Sequence, residues 1–312
     1  MSATCLPFDD DAVAEAVRLI LAGEPVALPS ETVYGLAADA TNARAVAAIY
    51  AAKGRPSFNP LIVHVADRAM AQEIADFSDI AGRLADAFWP GPLTMVLPRR
   101  VDGAVADLVT AGLPTIAIRM PAHPAMQAVI RASGRPLAAP SANRSGSISP
   151  TSAAHVLASL GERIALVLDG GSTPAGIEST IIALDEGIIR ILRPGPITAA
   201  QLAEATGLPV MGAGANKGIE APGQLASHYC PAKPLRLHAD HAEPGEYLIG
   251  FGGMACDFNL SEAADLAEAA TNIFAALHMA DASDAQAIAV ATIPDEGIGV
   301  AINDRLARAA VR

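Results

Sequence analysis

The segment from Lys53 to Pro60 contains the residues with the clearest capacity for chemistry in this chain. Lysine is scarce, with three in the whole sequence against eighteen arginines, yet Lys53 stands two residues before Arg55 in a turn rich in glycine and proline. Lysine offers a compact point charge and arginine a planar fork of donors, and both bind phosphate or carboxylate groups. A solvated turn is the alternative, and it is favoured for this pair taken alone. The pair therefore predicts an anion-binding site only if other polar groups lie close to it in the folded chain.

Other polar clusters stand at the ends of predicted strands. Hydroxyl and amide side chains fill residues 141–146, ahead of a helix that Thr151 or Ser152 can cap. Residues 176–180 form a second polar turn, and Arg119 and Arg193 each end an apolar run. Sheet proteins bind ligands at strand ends, and a helix N-terminus favours anions. Each cluster alone also fits an ordinary turn or a surface arginine, but their convergence predicts one shared cleft.

The elements that must position these clusters alternate between apolar runs and helical patterns. The runs predict strands at 25–29, 61–65, 93–97, 115–119, 137–139, 164–168, 180–184 and 188–192. The helical patterns cover 12–22, 43–53, two stretches within 69–88, 124–132, 152–160 and 199–205. Asn42 and Gly54 are suited to cap the helix at 43–53, and residues 31–35 are predicted to form a loop. This alternation indicates an α/β (α+β) protein with a mixed sheet.

The chain changes character after residue 206. Residues 207–232 are rich in glycine and proline, which is typical of a linker. Strands at 247–251 and 287–293 and helices at 261–279 and 299–310 then predict a small β-α-β-α domain. Asn259 and Glu262 have the spacing of a capping box for its first helix. We therefore expect a catalytic domain at 1–206, a linker or lid at 207–232 and a small domain at 233–312.

Composition restricts the class of protein. Hydrophobic residues make up 52% of the chain and charged residues 17%, which favours a folded core over disorder. The sequence lacks an apolar run of about 18 residues and an N-terminal signal-peptide pattern, so we expect a cytoplasmic protein without a membrane span. Cys5, Cys230 and Cys256 match neither a disulfide framework nor a zinc site.

The charge is negative and unevenly distributed. The formal net charge is −12, and residues 235–312 contain 12 acidic against 4 basic side chains. Broad electrostatic binding of nucleic acid requires clustered lysine and arginine. We therefore expect no strong direct binding of nucleic acid, and any bound anion to be small.

Taken together, the motifs resemble those of a known family. Residues 30–36 (SETVYGL), 53–60 (KGRPSFNP), 140–146 (PSANRSG) and 177–180 (IEST) look like the YrdC domain, which defines the threonylcarbamoyl-AMP synthases. Residues 259–261, 296–299 and 301–306 are similar to the extra domain of the long, two-domain form. The resemblance implies a YrdC-like twisted mixed sheet with flanking helices and a central cleft, followed by a small Rossmann-like domain.

The resemblance also implies a reaction. L-Threonine and bicarbonate form a carbamate that attacks the α-phosphorus of ATP, which gives L-threonylcarbamoyladenylate, pyrophosphate and water. This is the first step toward N6-threonylcarbamoyladenosine in tRNA, and the product passes to a tRNA threonylcarbamoyl transferase complex. Mg²⁺ is expected on the triphosphate. No protein nucleophile is required, so catalysis rests on positioning and charge neutralisation.

The resemblance assigns roles residue by residue. It implies ATP contacts from Lys53, Arg55, Asn59, Thr115, Asn143, Thr151, Arg193 and Tyr229. Of these, Lys53 and Arg55 are also implied to be catalytic. It implies an L-threonine pocket of Thr32, His64, Arg119, Ser141 and Ser179. Arg119 suits a bidentate contact to the amino acid's carboxylate. The strand pattern alone would instead make His64 a buried histidine without catalytic duty.

The linker departs from the family pattern. His228 to Pro231 resemble the family's His-Tyr-Ala-Pro, but Gln224, Leu225 and Ala226 stand where the family usually has methionine, a basic residue and tyrosine. A charged contact from this segment to the nucleotide is therefore not predicted. Tyr229 can be a lid over the nucleotide or an apolar anchor for the linker, and the sequence favours neither.

Two other functions compete with this hypothesis. The same concave surface could belong to an RNA-binding module, although the acidic charge and the 4% aromatic content count against it. A hydrogenase-maturation-type carbamoyltransferase also contains a YrdC domain, but it adds zinc-finger cysteine pairs and an acylphosphatase domain that this sequence lacks. Under the hypothesis of an ATP-dependent synthase, we expect Lys53 and Arg55 to lie on an exposed loop.

Overall fold

The computed structural model describes residues 2–212, 220–223 and 227–311. Residues 213–219 and the altered positions Gln224, Leu225 and Ala226 lie outside the described residues. The strands are β1 (Thr4–Pro7), β2 (Val26–Leu28), β3 (Gly35–Asp39), β4 (Ile62–His64), β5 (Leu93–Pro98), β6 (Thr115–Arg119), β7 (Leu137–Ala138), β8 (Leu166–Asp169), β9 (Thr180–Asp185), β10 (Ile188–Arg193), β11 (Val210–Met211), β12 (Leu235–Ala239), β13 (Glu246–Gly250), β14 (Phe258–Asn259) and β15 (Ala287–Ala291). The helices are α1 (Asp10–Leu21), α2 (Ala43–Lys53), α3 (Arg68–Gln72), α4 (Asp79–Phe88), α5 (Asp107–Thr110), α6 (Pro124–Ser133), α7 (Ala153–Leu160), α8 (Ala199–Thr206), α9 (Leu266–Ala282) and α10 (Gly299–Ala309).

The first eleven strands form one mixed sheet across the described part of the chain. Their order is β1-β8-β2-β3-β7-β4-β6-β5-β9-β10-β11. Strands β4 and β6 are parallel, β5 and β6 are antiparallel, β5 and β9 are parallel, and β9 and β10 are antiparallel. As a result β4, β6 and β10 end at the same edge at which β5 and β9 begin. The predicted mixed α/β sheet is confirmed, and its topology brings His64, Arg119 and Arg193 to one edge.

Strand β3 was missed by the sequence analysis. The predicted loop at 31–35 extends only to Tyr34, and Gly35 already pairs with Leu28 in an antiparallel ladder. The β3 sequence GLAAD lacks the β-branched and aromatic residues that mark strands. The strand forms because all five of its residues are buried between neighbouring strands, so tertiary packing outweighs local propensity.

Helix α2 begins and ends where the sequence predicts. The Asn42 side chain accepts hydrogen bonds from the backbone N–H groups of Arg44 and Ala45, and Gly54 ends the helix with a left-handed φ of 61°. Glycine adopts that conformation without a Cβ penalty, which explains the sharp stop. Lys53 is therefore the last helical residue and not part of a loop.

A second, parallel sheet follows in the order β12-β15-β13-β14 among the described residues. Helices α9 and α10 pack on it, which agrees with the Rossmann-like expectation. The predicted capping box is wrong: α9 begins at Leu266, and Asp265 caps it by accepting from the N–H groups of Ala267 and Glu268. Asn259 instead lies in β14 and accepts from the Ser261 N–H.

We call the eleven-stranded sheet with its helices the N-terminal unit and the four-stranded sheet with its helices the C-terminal unit. Val33, Ile148 and Ile177 of the first unit belong to the same buried apolar cluster as Phe274 of the second and Tyr229 between them. Strand β11 lies within the segment predicted as linker and pairs with β10. Among the described residues, no helix is long and apolar enough to cross a membrane.

Candidate active site

A cavity of about 50 Å³ lies at the strand ends of the N-terminal unit. Its lining includes eight residues that the sequence analysis selected: Thr32, Arg55, His64, Arg119, Ser141, Ser179, Arg193 and Tyr229. Pro222, Gly223 and His228 of the linker segment line it as well. This volume is well below the roughly 300 Å³ or more of typical ligand sites, and these linker residues form part of the cavity wall.

Lys53 is buried beneath this cavity rather than exposed. Its side chain is 3% accessible, and Nζ donates to the backbone carbonyls of Ser141 and Asn143, each at 2.5 Å. Burial lowers the pKa of Lys53 well below its usual range, and the neighbouring Arg55 lowers it further. The ammonium has three donors, so two fix the 141–143 segment and one is left for a further acceptor. The expectation of an exposed loop is wrong here.

Arg55 is likewise buried, with 9% accessibility. Its Nε donates to the Asn59 carbonyl at 3.2 Å and its Nη2 to the Pro60 carbonyl at 2.8 Å. Burial lowers the Arg55 pKa to about 10, so the guanidinium stays charged near neutral pH. Because both of these hydrogen-bond partners are neutral carbonyls, neither contact cancels the positive charge of Arg55.

Arg119 occupies the end of β6 beside His64 of β4, its partner in the ladder. Its Nε donates to the Gly91 carbonyl and its Nη1 to the Thr32 hydroxyl at 2.9 Å. Its Nη2 lies 2.6 Å from Glu31 Oε1 in a buried ion pair that is not aligned as a hydrogen bond. Burial raises the pKa of Glu31, but Arg119 outweighs this and the pKa ends below its usual value. One guanidinium thus organises Glu31 and Thr32 at the cavity.

His64 is neutral at physiological pH. Burial first and then the Arg119 charge lower its pKa to about 3. Its Nδ1 is buried and has no hydrogen-bond partner among the described residues. An imidazole of such low basicity is a poor general base near pH 7, so it is better suited to donate or accept one hydrogen bond in the pocket.

Ser179 and Arg193 form the opposite side of the cavity. Arg193 donates from Nε and Nη2 to the Ser179 carbonyl, at 3.1 and 2.9 Å, and from Nη2 to the Ser179 hydroxyl at 3.1 Å. That hydroxyl also lies 2.8 Å from the Thr94 hydroxyl. Gly195 permits this packing, since a Cβ there would lie 2.4 Å from the Thr180 nitrogen. The start of β9 and the end of β10 are therefore in backbone contact.

The remaining predicted residues lie around the cavity but not in its lining. The Asn59 amide and Asn143 Oδ1 are buried without hydrogen-bond partners in the described ranges. Thr151 lies 3.3 Å from His155 Nδ1. Thr115 begins β6 while Arg119 ends it, roughly 13 Å apart at the usual strand rise. The length of β6 thus separates Thr115 from Arg119.

Tyr229 has the position of an apolar anchor, one of the two roles that the sequence left open, and it also lines the cavity. Its ring is buried in the cluster shared by the two units, 5.6 Å from the Phe274 ring. The role of a lid over the nucleotide stays a prediction. The Tyr229 hydroxyl is buried and lacks a hydrogen-bond partner among the described residues. Tyr229 adopts a left-handed φ of 65°, uncommon for a non-glycine residue. The segment is thus anchored by an aromatic ring and reaches the site with a polar atom.

Three charged residues at the site were missed as individual candidates: the partly exposed Glu31 and the buried Glu178 and Arg305. Glu31 and Glu178 stand next to the predicted Thr32 and Ser179, and Arg305 is one of only four basic residues in 235–312. An acidic residue between apolar and hydroxyl neighbours, or a rare arginine in an acidic segment, is the signal that would have found them. Within the described ranges, no group of three or more His, Cys, Asp or Glu residues is placed to bind a metal ion.

This fold and site define a mixed α/β protein with an enclosed cationic cleft. A family model described as "Telomere recombination" (Sua5, YciO and YrdC) matches residues 18–195, and one described as "Threonylcarbamoyl-AMP synthase, C-terminal domain" matches 197–311. The chain belongs to this Sua5/YciO/YrdC family, with the C-terminal domain of its long form.

Relatives and solved structures cover nearly the whole chain. The threonylcarbamoyl-AMP synthase of Bacillus subtilis is 40% identical, over 98% of this chain and 94% of its own. The protein of that name from Pyrococcus abyssi is 38% identical, over 94% of this chain and 92% of its own. The crystal structure of P. abyssi Sua5 complexed with L-threonine matches with a TM-score of 0.90 and 34% identity, over 99% of this chain and 98% of that one. The family resemblance is confirmed.

Proposed function

We propose that this chain is an enzyme that makes L-threonylcarbamoyladenylate from ATP, L-threonine and bicarbonate, with release of pyrophosphate and water. The observation that carries the proposal is a cavity lined by Arg55, Arg119 and Arg193, with buried Lys53 next to Arg55, in a chain whose relatives bear the name of that activity. Neither an RNA-binding module nor a hydrogenase-maturation-type carbamoyltransferase receives support from those relatives.

The phosphates of ATP are assigned to the Lys53, Arg55 and Arg193 end of the cleft. These groups donate to backbone carbonyls or a hydroxyl, and a bound polyanion would favour the charged form of Lys53, whose pKa burial lowers. Charge that develops on the α-phosphorus and on the leaving pyrophosphate is stabilised by such preorganised donors. Asn59, Asn143 and Thr151 are assigned further nucleotide contacts, and so is Thr115 if the nucleotide extends to the far end of β6.

L-Threonine and its carbamate are assigned to the other end of the cleft. Arg119, fixed by Glu31 and Thr32, retains donors for the amino acid's carboxylate. His64, Ser141 and Ser179 line the same cavity and offer hydrogen bonds to the threonine hydroxyl or the carbamate. The carbamate is itself an anionic nucleophile, so the low pKa of His64 is compatible with a reaction that uses no protein base.

Magnesium enters this reaction with its substrate as MgATP. Phosphate oxygens and water supply most ligands of such an ion, which agrees with a cleft that offers mainly cationic and hydroxyl groups. Tyr229 is assigned the lid position over the nucleotide. The division into 1–206, 207–232 and 233–312 stays a prediction, as do a cytoplasmic location and transfer of the product to a tRNA threonylcarbamoyl transferase complex.

The test is threonine-dependent pyrophosphate release. The purified chain is incubated with ATP, Mg²⁺, bicarbonate and L-threonine, and pyrophosphate and the adenylate are quantified. Omission of L-threonine, and separately of bicarbonate, provides matched controls. Pyrophosphate that appears equally without threonine, or no adenylate in the complete mixture, would overturn the proposal.

A further inference from the structure

Arg305 is a fully buried arginine of the C-terminal unit that contacts the N-terminal unit beside the cleft. It lies on α10 and has no accessible surface. Its Nε donates to Glu178 Oε2 at 2.7 Å, and its Nη2 donates to the Pro194 carbonyl at 3.0 Å. We propose that Arg305 is a positioning residue, which fixes Ser179 and Arg193 in the site through these two contacts.

Each contact lies next to a residue that lines the cavity. Glu178 precedes Ser179 at the start of β9, and Pro194 follows Arg193 at the end of β10. The two cavity residues also bond to each other, through Arg193 and the Ser179 carbonyl. One guanidinium therefore bridges both strand ends.

Two hydrogen-bond partners hold the Glu178 side chain in place. The Ser149 hydroxyl donates a short hydrogen bond to Glu178 Oε1, so each carboxylate oxygen has its own partner. Burial raises the pKa of Glu178, but Arg305 outweighs it and the pKa ends below the usual value. The carboxylate therefore stays ionised, and the ion pair persists at neutral pH.

The C-terminal unit supports the same segment at a second place. A Cβ at Gly176 would lie 2.3 Å from the Ala270 carbonyl of α9, and the Thr271 hydroxyl donates to the Pro174 carbonyl at 2.7 Å. Ile177 is fully buried in the cluster that the two units share. Residues 174–178 thus pack on α9 and α10 before the chain enters β9, which gives the C-terminal unit a direct role in the geometry of the site.

The bridge requires the planar fork of arginine. A lysine ammonium at this position keeps the charge, but it is a single donor centre and cannot match the separated Glu178 and Pro194 acceptors with the same geometry. We therefore expect Arg305→Lys to fold and to keep the ion pair with Glu178, but to lose the hydrogen bond to the Pro194 carbonyl at the end of β10. A displacement of about 1 Å in a site can lower a rate on the order of a hundredfold.

The inference rests on the proposed function for its kinetic readout. In threonine-dependent pyrophosphate release, we expect Arg305→Lys to lower kcat at least tenfold and to raise the KM for ATP at least fivefold. A smaller folded fraction would lower kcat but leave KM unchanged, so the KM separates misplacement from instability. Arg236→Lys is the matched control, since Arg236 also donates from Nε to a carboxylate, that of Glu246, and from Nη2 to a carbonyl, that of His241, but within the C-terminal unit; we expect its kcat and KM within twofold of the parent chain.

A second variant and a second readout keep the test decisive. The double variant E178M/R305M removes both charges of the Glu178–Arg305 pair together, which avoids the unpaired partner that either single neutral variant would leave; we expect the same kinetic defect. Hydrogen exchange measures the positioning without reference to any activity. Amides of 176–180 and 193–195 should exchange faster in R305K and in the double variant, but not in R236K.

The outcomes separate the two proposals. If the parent chain releases no pyrophosphate with threonine, the proposed function fails, and hydrogen exchange alone decides on Arg305. If R305K and the double variant are folded and show parental exchange at 176–180 and 193–195, the positioning role is overturned. Parental kcat and KM in both variants of an active enzyme would also overturn it.

Discussion

The two sides of the cleft are positioned in different ways. On the α2 side, Lys53 and Arg55 donate to backbone carbonyls of the N-terminal unit alone. On the β9–β10 side, Ser179 and Arg193 depend on a segment that packs on α9 and α10 of the C-terminal unit. The first side is built from one unit, and the second is completed by a residue 127 positions further along the chain.

The difference separates charge from geometry. Cations that contact only neutral carbonyls bury their charge without cancelling it, and such charge attracts a polyanion strongly in a medium of low dielectric constant. The β9–β10 side instead places a buried carboxylate, Glu178, between Arg193 and Arg305. We infer that the α2 side contributes mainly charge and that the β9–β10 side contributes mainly a fixed geometry.

The largest expected effect is that of Lys53→Met on activity. Loss of the ammonium removes a charge from the phosphate end, and we expect pyrophosphate release to fall at least about a hundredfold. The free energy of unfolding should change little, because two contributions oppose each other. Each carbonyl that loses its donor destabilises the fold by roughly 1–3 kcal/mol, whereas removal of a desolvated charge stabilises it by several kcal/mol. Enzyme assays and thermal unfolding measure the two quantities.

Lys233→Met is the matched control for that variant. Lys233 also donates to backbone carbonyls, those of Ala280 and Ser283, but it lies in the C-terminal unit away from the cavity. We expect near-parental activity from it. Near-parental turnover in Lys53→Met as well would contradict the assignment of charge to the α2 side.

Gly195→Ala should break the geometry of the β9–β10 side. A Cβ there would lie 2.4 Å from the Thr180 nitrogen and 2.7 Å from the Glu178 carbonyl oxygen, and backbone atoms cannot move aside without shifting both strands. We expect a loss of roughly 1–3 kcal/mol in stability and at least a tenfold loss of activity. Gly253→Ala, with no atom within 4 Å of its added Cβ, serves as control, and equal behaviour of the two variants would refute the prediction.

Arg119→Lys tests a residue between the two sides. The charge persists, but the fork that contacts Gly91, Thr32 and Glu31 is lost. We expect the KM for L-threonine to rise about tenfold, which corresponds to about 1.4 kcal/mol, and the KM for ATP to rise less. Arg99→Lys, an arginine that pairs with Asp107, is the control. A larger change in the KM for ATP would assign Arg119 to the nucleotide.

The smallest effect is expected from a stacked histidine pair between the units. The rings of His155 and His278 lie 3.8 Å apart, and burial, followed by the His278 charge, lowers the His155 pKa to about 4. The pKa of His155 is near 6.5 in the unfolded chain and about 4 in the folded chain. Between these two pH values the unfolded chain binds the proton more readily, so the stability of the fold falls as the pH drops from 6.5 to 4. Above pH 6.5 this histidine does not change the stability.

His155→Phe keeps an aromatic ring but cannot titrate. We therefore expect its melting temperature to fall less than that of the parent chain between pH 7 and pH 5, by roughly 2 °C. An equal slope in His155→Phe and the parent chain would show that the pair does not titrate as stated.

Much of the molecule follows from local sequence. Asn42 and Gly54 fix the ends of α2, the apolar runs give most strands of the large sheet, and the motifs at 30–36, 53–60 and 140–146 lead to the family. These features depend on residues a few positions apart, so backbone propensity, capping and periodicity suffice to read them. The roles assigned to the thirteen site residues remain predictions, and the Lys53 and Arg119 variants test two of them.

Only the tertiary structure decided where the charges are buried and what they contact. Lys53 was expected on an exposed loop, but it is buried, and its ammonium group donates hydrogen bonds to carbonyls 88 and 90 residues away. The strand at 35–39 forms through burial despite weak propensity, and α9 begins at Leu266 because Asp265, not Asn259, caps it. Arg305 reaches Glu178 only when two sheets pack together. Contacts between distant residues leave no local pattern in the sequence, so the sequence determined the family and the chemistry, while packing determined the geometry.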